Sequence, residues 1–177
     1  GNVTTTATGF AAGGLIGAAT NPTITLNNPV TRTGTIEGTS ESGGFIGKAV
    51  YNTGIELDLS KINISGITIS NGNHAGGYFG VLNFDSTTGS TITIKTNSQT
   101  NQTDQTILMH KGTSWQFGGV IGQYSANLQS STLNLESPNV TISSNGTVTA
   151  LGGIIGSVAG KGANDALGDA TSAYVEI

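Results

Sequence analysis

A five-residue frame, Gly-Gly-apolar-apolar-Gly, occurs five times in this chain, headed by Gly13, Gly43, Gly76, Gly118 and Gly152. Successive frames begin 30, 33, 42 and 34 residues apart. The sequence between them is otherwise dissimilar, so what recurs is a demand on the backbone with two large side chains inside it. A demand that returns at this period implies units stacked one on another.

Short alternating runs follow the first four frames: Thr23–Leu26, Ile55–Leu59, Thr91–Ile94 and Thr132–Leu135. A second run follows each of these, at Thr35–Ile36, Ile62–Ile69, Thr106–Met109, and Val140–Ile142 with Thr147–Thr149. Period two in Thr, Ile and Leu is strand chemistry. The separators Asn71-Gly72-Asn73, Thr88-Gly89-Ser90 and Ser144-Asn145-Gly146 suit turns. No segment supports a long helix. The pattern predicts an all-β, parallel β-solenoid of about five rungs with roughly three short strands per rung, forming one domain over 1–177. The alternative is a β-sandwich, which also uses short strands and glycine turns but does not require one pentapeptide to recur. The longest repeat carries a polar insertion over Asn97–Gln105, expected to leave the rung as a loop. The chain closes on the strand-like Tyr174–Ile177, which suggests a fragment of a larger surface assembly or a subunit that stacks end to end.

In the frames the third residue is Leu15, Phe45, Tyr78, Val120 or Ile154, and the fourth is Ile16, Ile46, Phe79, Ile121 or Ile155. Neighbours on a strand point to opposite faces. Residues on the parity of the third include Ala49, Leu82, Tyr124 and Val158, while Lys48, Gln123 and Ser157 share the parity of the fourth. The third-residue parity therefore reads as the interior. The fourth residues are then either turned inward by a bend at the glycines or form an outer apolar ribbon, Ile16, Ile46, Phe79, Ile121 and Ile155, which would bind a neighbouring domain or an identical chain. The glycines themselves supply unusual backbone angles or room for neighbouring rungs. A phosphate-loop reading fails, because no frame is followed by a Lys-Ser/Thr pair or a helical pattern.

These five frames resemble the GLUG repeat of bacterial surface proteins, whose hallmark is a glycine-bounded apolar pair. The repeats they head cover nearly the whole chain. The resemblance implies an adhesin-like cell-surface protein. Similar repeats also occur in the non-catalytic part of secreted immunoglobulin-cleaving metallopeptidases, but the zinc motif His-Glu-x-x-His is absent here, so no protease activity is implied.

Composition narrows the partners. Thr, Ser and Asn number 60, whereas charged residues make up only 9%, a balance that favours an extracellular or cell-surface location. A net charge of −4 with six Lys and Arg argues against nucleic acid, which needs clustered cations. With no cysteine there are no disulfides or thiolate metal sites. The most apolar stretch, Ala150–Gly160, is shorter than the roughly 18 to 20 residues of a membrane span, and Gly1–Thr4 does not open a signal peptide.

Candidate chemistry is sparse, and neither a catalytic residue nor a cofactor is expected. His74 and His110 lack partners at a recognised spacing and read as surface residues. Glu56 and Asp58 share one strand face with Ile55, Leu57 and Leu59 on the other, the pattern of a solvated face. Asn164–Asp169, with Asp165 and Asp169, could hold Ca²⁺ weakly but lacks the ligand density of a calcium loop. Trp115, the only tryptophan, could stack on sugar together with Tyr78 and Tyr124 or pack at a corner. Sequons at Asn2, Asn63, Asn101, Asn139 and Asn145 matter only in a glycosylating host. The first functional expectation is a structural or adhesive solenoid, a stalk or binding surface for a host or environmental glycan or protein, without catalysis. A carbohydrate-active β-helix enzyme or carbohydrate-binding module is the alternative, although an active cleft needs clustered charges that this chain scatters. Ice binding through Thr23/Thr25, Thr91/Thr93 and Thr147/Thr149 is a third reading, against which their irregular spacing counts.

Overall fold

The computed structural model describes residues 2–5, 9–64, 66–86, 90–96, 106–126, 131–136, 140–160 and 173–176. The strands follow the repeat. The first turn carries β1 (Val3–Thr4), β2 (Ala12–Gly13) and β3 (Ile16–Thr20). The second carries β4 (Val30–Thr31), β5 (Gly34–Glu37), β6 (Glu41–Gly43), β7 (Ile46–Tyr51) and β8 (Ile55–Asp58). The third holds β9 (Ile62–Asn63), β10 (Ile67–Gly76), β11 (Phe79–Phe84) and β12 (Thr91–Lys95), and the fourth β13 (Thr106–Gly118), β14 (Ile121–Ala126) and β15 (Ser131–Glu136). The last holds β16 (Val140–Ser144), β17 (Thr147–Gly152), β18 (Ile155–Gly160) and β19 (Ala173–Glu176).

Every strand pairing among the described residues is parallel. The first sheet collects the strands that lead into the frames, in the order β1-β5-β10-β13-β16, with β2, β6 and β17 completing its far half. The second collects the strands that leave them, β18-β14-β11-β7-β3, and the third runs β19-β15-β12-β8. β4 and β9 form a short ladder of their own. A hairpin-linked sandwich would pair consecutive strands antiparallel; here each strand pairs with its counterpart one turn away. The fold is a parallel β-solenoid in which four full turns separate the five frame strands.

The frames stack in one column: Ile16 pairs with Ile46, Ile46 with Phe79, Phe79 with Ile121 and Ile121 with Ile155. Each frame is a tight reversal between the first and second sheets, and its backbone donors are satisfied by the next turn. The second-glycine N–H donates to the first-glycine carbonyl beyond it, Gly14 to Gly43 at 3.0 Å, Gly44 to Gly76 at 3.2 Å and Gly77 to Gly118 at 3.1 Å. The third and fourth N–H groups share one carbonyl, as Phe45 and Ile46 do at Tyr78 (3.1 and 2.8 Å) and Tyr78 and Phe79 do at Val120 (both 2.9 Å).

This geometry accounts for the glycines by close approach. A Cβ added to Gly43, Gly76 or Gly118 would overlap the carbonyl oxygen of the fourth residue in the same frame, and one on Gly14 or Gly44 would overlap the second-glycine carbonyl of the next. At the fifth position, Cβ atoms on Gly47, Gly80, Gly122 and Gly156 would each stand 2.6 Å from the carbonyl of the fifth glycine one turn back. None of these glycines has a positive φ, so unusual backbone angles are not what the frame requires.

Of the two readings of the fourth frame residues, the inward bend is the one observed, and they form no outer ribbon. Ile46, Phe79 and Ile121 are fully buried, and Ile16 and Ile155, in the terminal frames, are partly buried. Phe45, Tyr78 and Val120 are buried as well, so both apolar frame positions face the core. In a regular strand Ile46 and Ala49, three residues apart, would lie on opposite faces. Both are buried, because the chain bends at the second and third frame positions and changes face around Gly47. Beyond it the interior follows the expected parity, with Ala49, Leu82 and Tyr124 stacked in register and Tyr51, Phe84 and Ala126 two residues on. The third sheet contributes the columns Ile92–Leu133 and Leu57–Ile94–Leu135.

Two further expectations change. Thr23–Leu26 is not a strand: Asn21, at φ 48°, and Pro22, which has no N–H to donate, precede it. Ile24 and Leu26 still pack on the core. Asn71-Gly72-Asn73 is not a turn between strands but lies inside β10. The Asn97–Gln105 insertion and most of Thr88-Gly89-Ser90 lie outside the described residues.

Gly44→Ala is therefore expected to lower stability by about 3 kcal/mol, as a buried backbone clash does, whereas Gly153→Ala, whose Cβ would meet nothing within 4 Å, should stay within about 0.5 kcal/mol of wild type. Urea denaturation distinguishes them, and equal losses would refute close approach as the reason for the frame. The double change Ile46→Thr and Ile121→Thr should cost about 2 kcal/mol per site through lost apolar contact and a buried hydroxyl. The same denaturation would show it, and a loss of self-association with stability unchanged would contradict the burial of the column.

Candidate functional site: a groove at the kink of the first sheet

Halfway along the first sheet the ladder is interrupted in every turn. In three turns the strand breaks there, between β1 and β2, β5 and β6, and β16 and β17. In the other two it continues through a register shift between Ser70 and Gly72, where Gly112 and Thr113 of β13 oppose the single residue Asn71 of β10. Such an extra residue bends the strand and leaves backbone groups to be satisfied by other means. Asn71 (φ 61°), Gly72 (φ 108°) and Gly112 (φ 88°) take the left-handed conformation that this kink needs.

The Asn71 side chain closes the gap. Its Oδ1 accepts from the Thr113 N–H at 3.1 Å, and its Nδ2 donates to Glu37 Oε1 at 3.2 Å, tying three turns together. Below, the Thr5 N–H donates to the Glu37 carbonyl at 2.9 Å. Over this floor lies a groove of about 520 Å³. Its walls come from four turns: Thr4 and Thr5, then Glu37 and Thr39, then Asn71 and Asn73, then Thr113. The lining holds one carboxylate and no cationic side chain. Its side chains are mostly Thr and Asn, whose methyl and methylene groups supply most of the surface and whose hydroxyls and amides offer hydrogen bonds to a polar ligand.

Trp115 is not among the residues that line this groove, but it is near two of them in the sheet. It is 63% exposed, follows Thr113 on the same strand face with Ser114 buried between them, and lies in register beside Asn73 of the preceding turn. Tyr78 and Tyr124, the other candidate stacking residues, do not join it. They are buried in the core, where the Tyr78 hydroxyl donates to the Ile62 carbonyl at 3.4 Å and burial pushes the Tyr124 phenol up to about 12. No sugar can reach either ring.

His74 and His110 are on neighbouring strands but are not brought together: His110 pairs with Ile69, and His74 with Gln116 and Glu41. No group of three metal-ligating His, Cys, Asp or Glu residues occurs among the described residues. The Asp165 and Asp169 segment lies outside them. Glu56 and Asp58 form the solvated face expected of them. Glu56 pairs with Lys95 at 2.6 Å, Lys95 also approaches Glu136 at 3.9 Å, and Ser60 holds the Asp58 carboxyl below its ordinary range by hydrogen bonds from its hydroxyl and amide. Exposed ion pairs of this kind contribute little stability. No helix among the described residues is long and apolar enough to cross a membrane.

In comparisons with protein-family models, curated proteins and solved structures, none matched the chain.

The Glu37–Asn71–Thr113 bridge has no signature in the sequence, since it depends on which residues the turns bring into register. Asn71-Gly72 was the available signal, a pair suited to positive φ that here forms the kink.

His74 yields a pH dependence. Burial lowers its pKa from the ordinary 6.5; Glu41 partly opposes the shift and Lys48, 3.5 Å from Glu41, adds to it. Gln116, on the other neighbouring strand, is neutral. The unfolded chain thus binds a proton at a pH where the folded chain does not, so stability is full above 6.5 and falls as pH drops through the window beneath it. Melting temperature should decrease between pH 7.5 and pH 5, and His74→Gln should flatten that slope. A slope unchanged in the variant would contradict the assignment.

Proposed function

We propose that the chain is an extracellular, non-catalytic β-solenoid, a rigid stalk and binding surface of an adhesin-like cell-surface protein. The observation that carries this reading is the kink groove: a surface of Thr and Asn side chains with one carboxylate and no cation, built across four turns of a hydrogen-bonded scaffold. The scarcity of charge and the resemblance of the five frames to GLUG repeats support the location. Burial of the fourth-position column removes the lateral ribbon as a docking face.

A carbohydrate-active enzyme is the weaker reading, because glycoside hydrolysis ordinarily needs two carboxylates flanking one bond and the groove supplies Glu37 alone. The two are separated by a glycan array followed by product analysis of every bound glycan. Selective binding with no turnover is expected, and cleavage of any glycan would overturn the proposal.

A further inference from the structure

The exposed indole of Trp115 lies on the same strand face as Thr113 and in register beside Asn73, two residues that line the groove. From Thr4 in the first turn to Thr113 in the fourth, three strand-to-strand steps span about 14 Å along the solenoid axis. Thr113 and Trp115, two residues apart on one face, are separated by about 6.6 Å along the strand. The surface thus joins an elongated, hydrogen-bonding trough to a flat aromatic plate at one side. A few placed polar groups beside an aromatic are the usual makings of a small-ligand site.

Charge selects among ligands. A trough with Glu37 and no cation disfavours anionic chains, and one carboxylate gives too few charged oxygens for a calcium ion. The Glu37 Oε1 and both ends of the Asn71 amide are already engaged, whereas Asn73 and Thr113 near the indole, and Thr4 at the far end, are exposed lining residues that can meet a ligand. A chain of hydroxyl-bearing rings, apolar on their faces and polar at their edges, matches both parts.

We propose that this surface is a binding site for an uncharged oligosaccharide lying along the solenoid axis. One sugar ring stacks on the Trp115 indole, and the Asn73 amide and Thr113 hydroxyl bond the hydroxyls of that ring and the next. The Glu37–Asn71–Thr113 bridge holds the floor in place before the ligand arrives, which limits the ordering cost of binding. This site rests on the binding role proposed above and specifies its ligand and location.

Trp115 is the only tryptophan in the sequence, so indole emission reports on this site alone. The folded wild-type chain is titrated with neutral hexasaccharides of glucan, xylan and mannan, and with hexagalacturonate as the anionic control. At least one neutral probe should shift the emission saturably, and the anionic probe should not. By calorimetry, Trp115→Ala and Asn73→Ala should each weaken binding by about tenfold or more, as loss of an anchoring contact does. Both residues are exposed, so the melting temperature of each variant is expected to match wild type and certifies that the fold is intact. Binding of none of the neutral probes, preference for hexagalacturonate, or affinity within twofold of wild type in both variants would overturn the site. Array binding retained by Trp115→Ala would sink this location while leaving the adhesive role standing, whereas cleavage of a bound glycan would sink the role itself.

Discussion

Backbone-to-backbone contact at the frame glycines is the constraint on which the rest of the solenoid depends. Where the chain reverses from the first sheet into the second, the first and fifth frame glycines lie against carbonyl oxygens of their own and neighbouring turns. No side chain fits between them. The approach lets a reversal of a few residues repeat in register, and it delivers the second-, third- and fourth-position amides to carbonyls of the next turn. A buried reversal would otherwise leave these donors unpaired, at a cost comparable to a lost hydrogen bond each.

A thin core follows from the same contact. With the reversal made of glycine, two adjacent apolar residues per turn can both be buried, and Phe45–Ile46, Tyr78–Phe79 and Val120–Ile121 fill the corner that the glycines leave open. Each turn then needs only a few more inward side chains, such as Leu82 and Phe84 on the second sheet and Ile92 and Ile94 on the third. Stacking converts these into continuous columns. The outward positions are freed for Thr, Asn and Ser, and the few charges pair across turns in water, as Lys95 does with Glu56 and Glu136.

The period of the fold was readable because an obligatory backbone contact admits glycine alone and therefore leaves a mark at each recurrence. The face of the fourth residue stayed open between an inward bend and an outer ribbon, because alternation alone does not reveal that the chain changes face around Gly47, Gly80 and Gly122. Tyr124 shows the opposite case: it sits on the parity assigned to the interior, and its burial agrees with that parity and not with a role in stacking. Thr23–Leu26 alternates correctly and still forms no strand, since Asn21 and Pro22 intervene. At the groove, Trp115 stood out by its singularity, but Glu37, Asn71 and Thr113 are 34 and 42 residues apart and meet only through the register of the turns.

The groove lies where the repeat is least regular, and the two facts are connected. In an uninterrupted parallel ladder the backbone groups are consumed by neighbouring strands and outward side chains form flat rows. At the kink, two residues of β13 oppose one of β10, so the rows are displaced and the surface becomes concave. The Asn71 amide then replaces the missing backbone partner of Thr113, which keeps the kink rigid without filling the hollow it creates. Regular turns supply stiffness, and the single irregular position supplies a shape that a ligand can recognise. The frame and the kink are therefore complementary uses of glycine: close approach at Gly43 and Gly47 locks the turns together, and positive φ at Gly72 and Gly112 opens the surface between them.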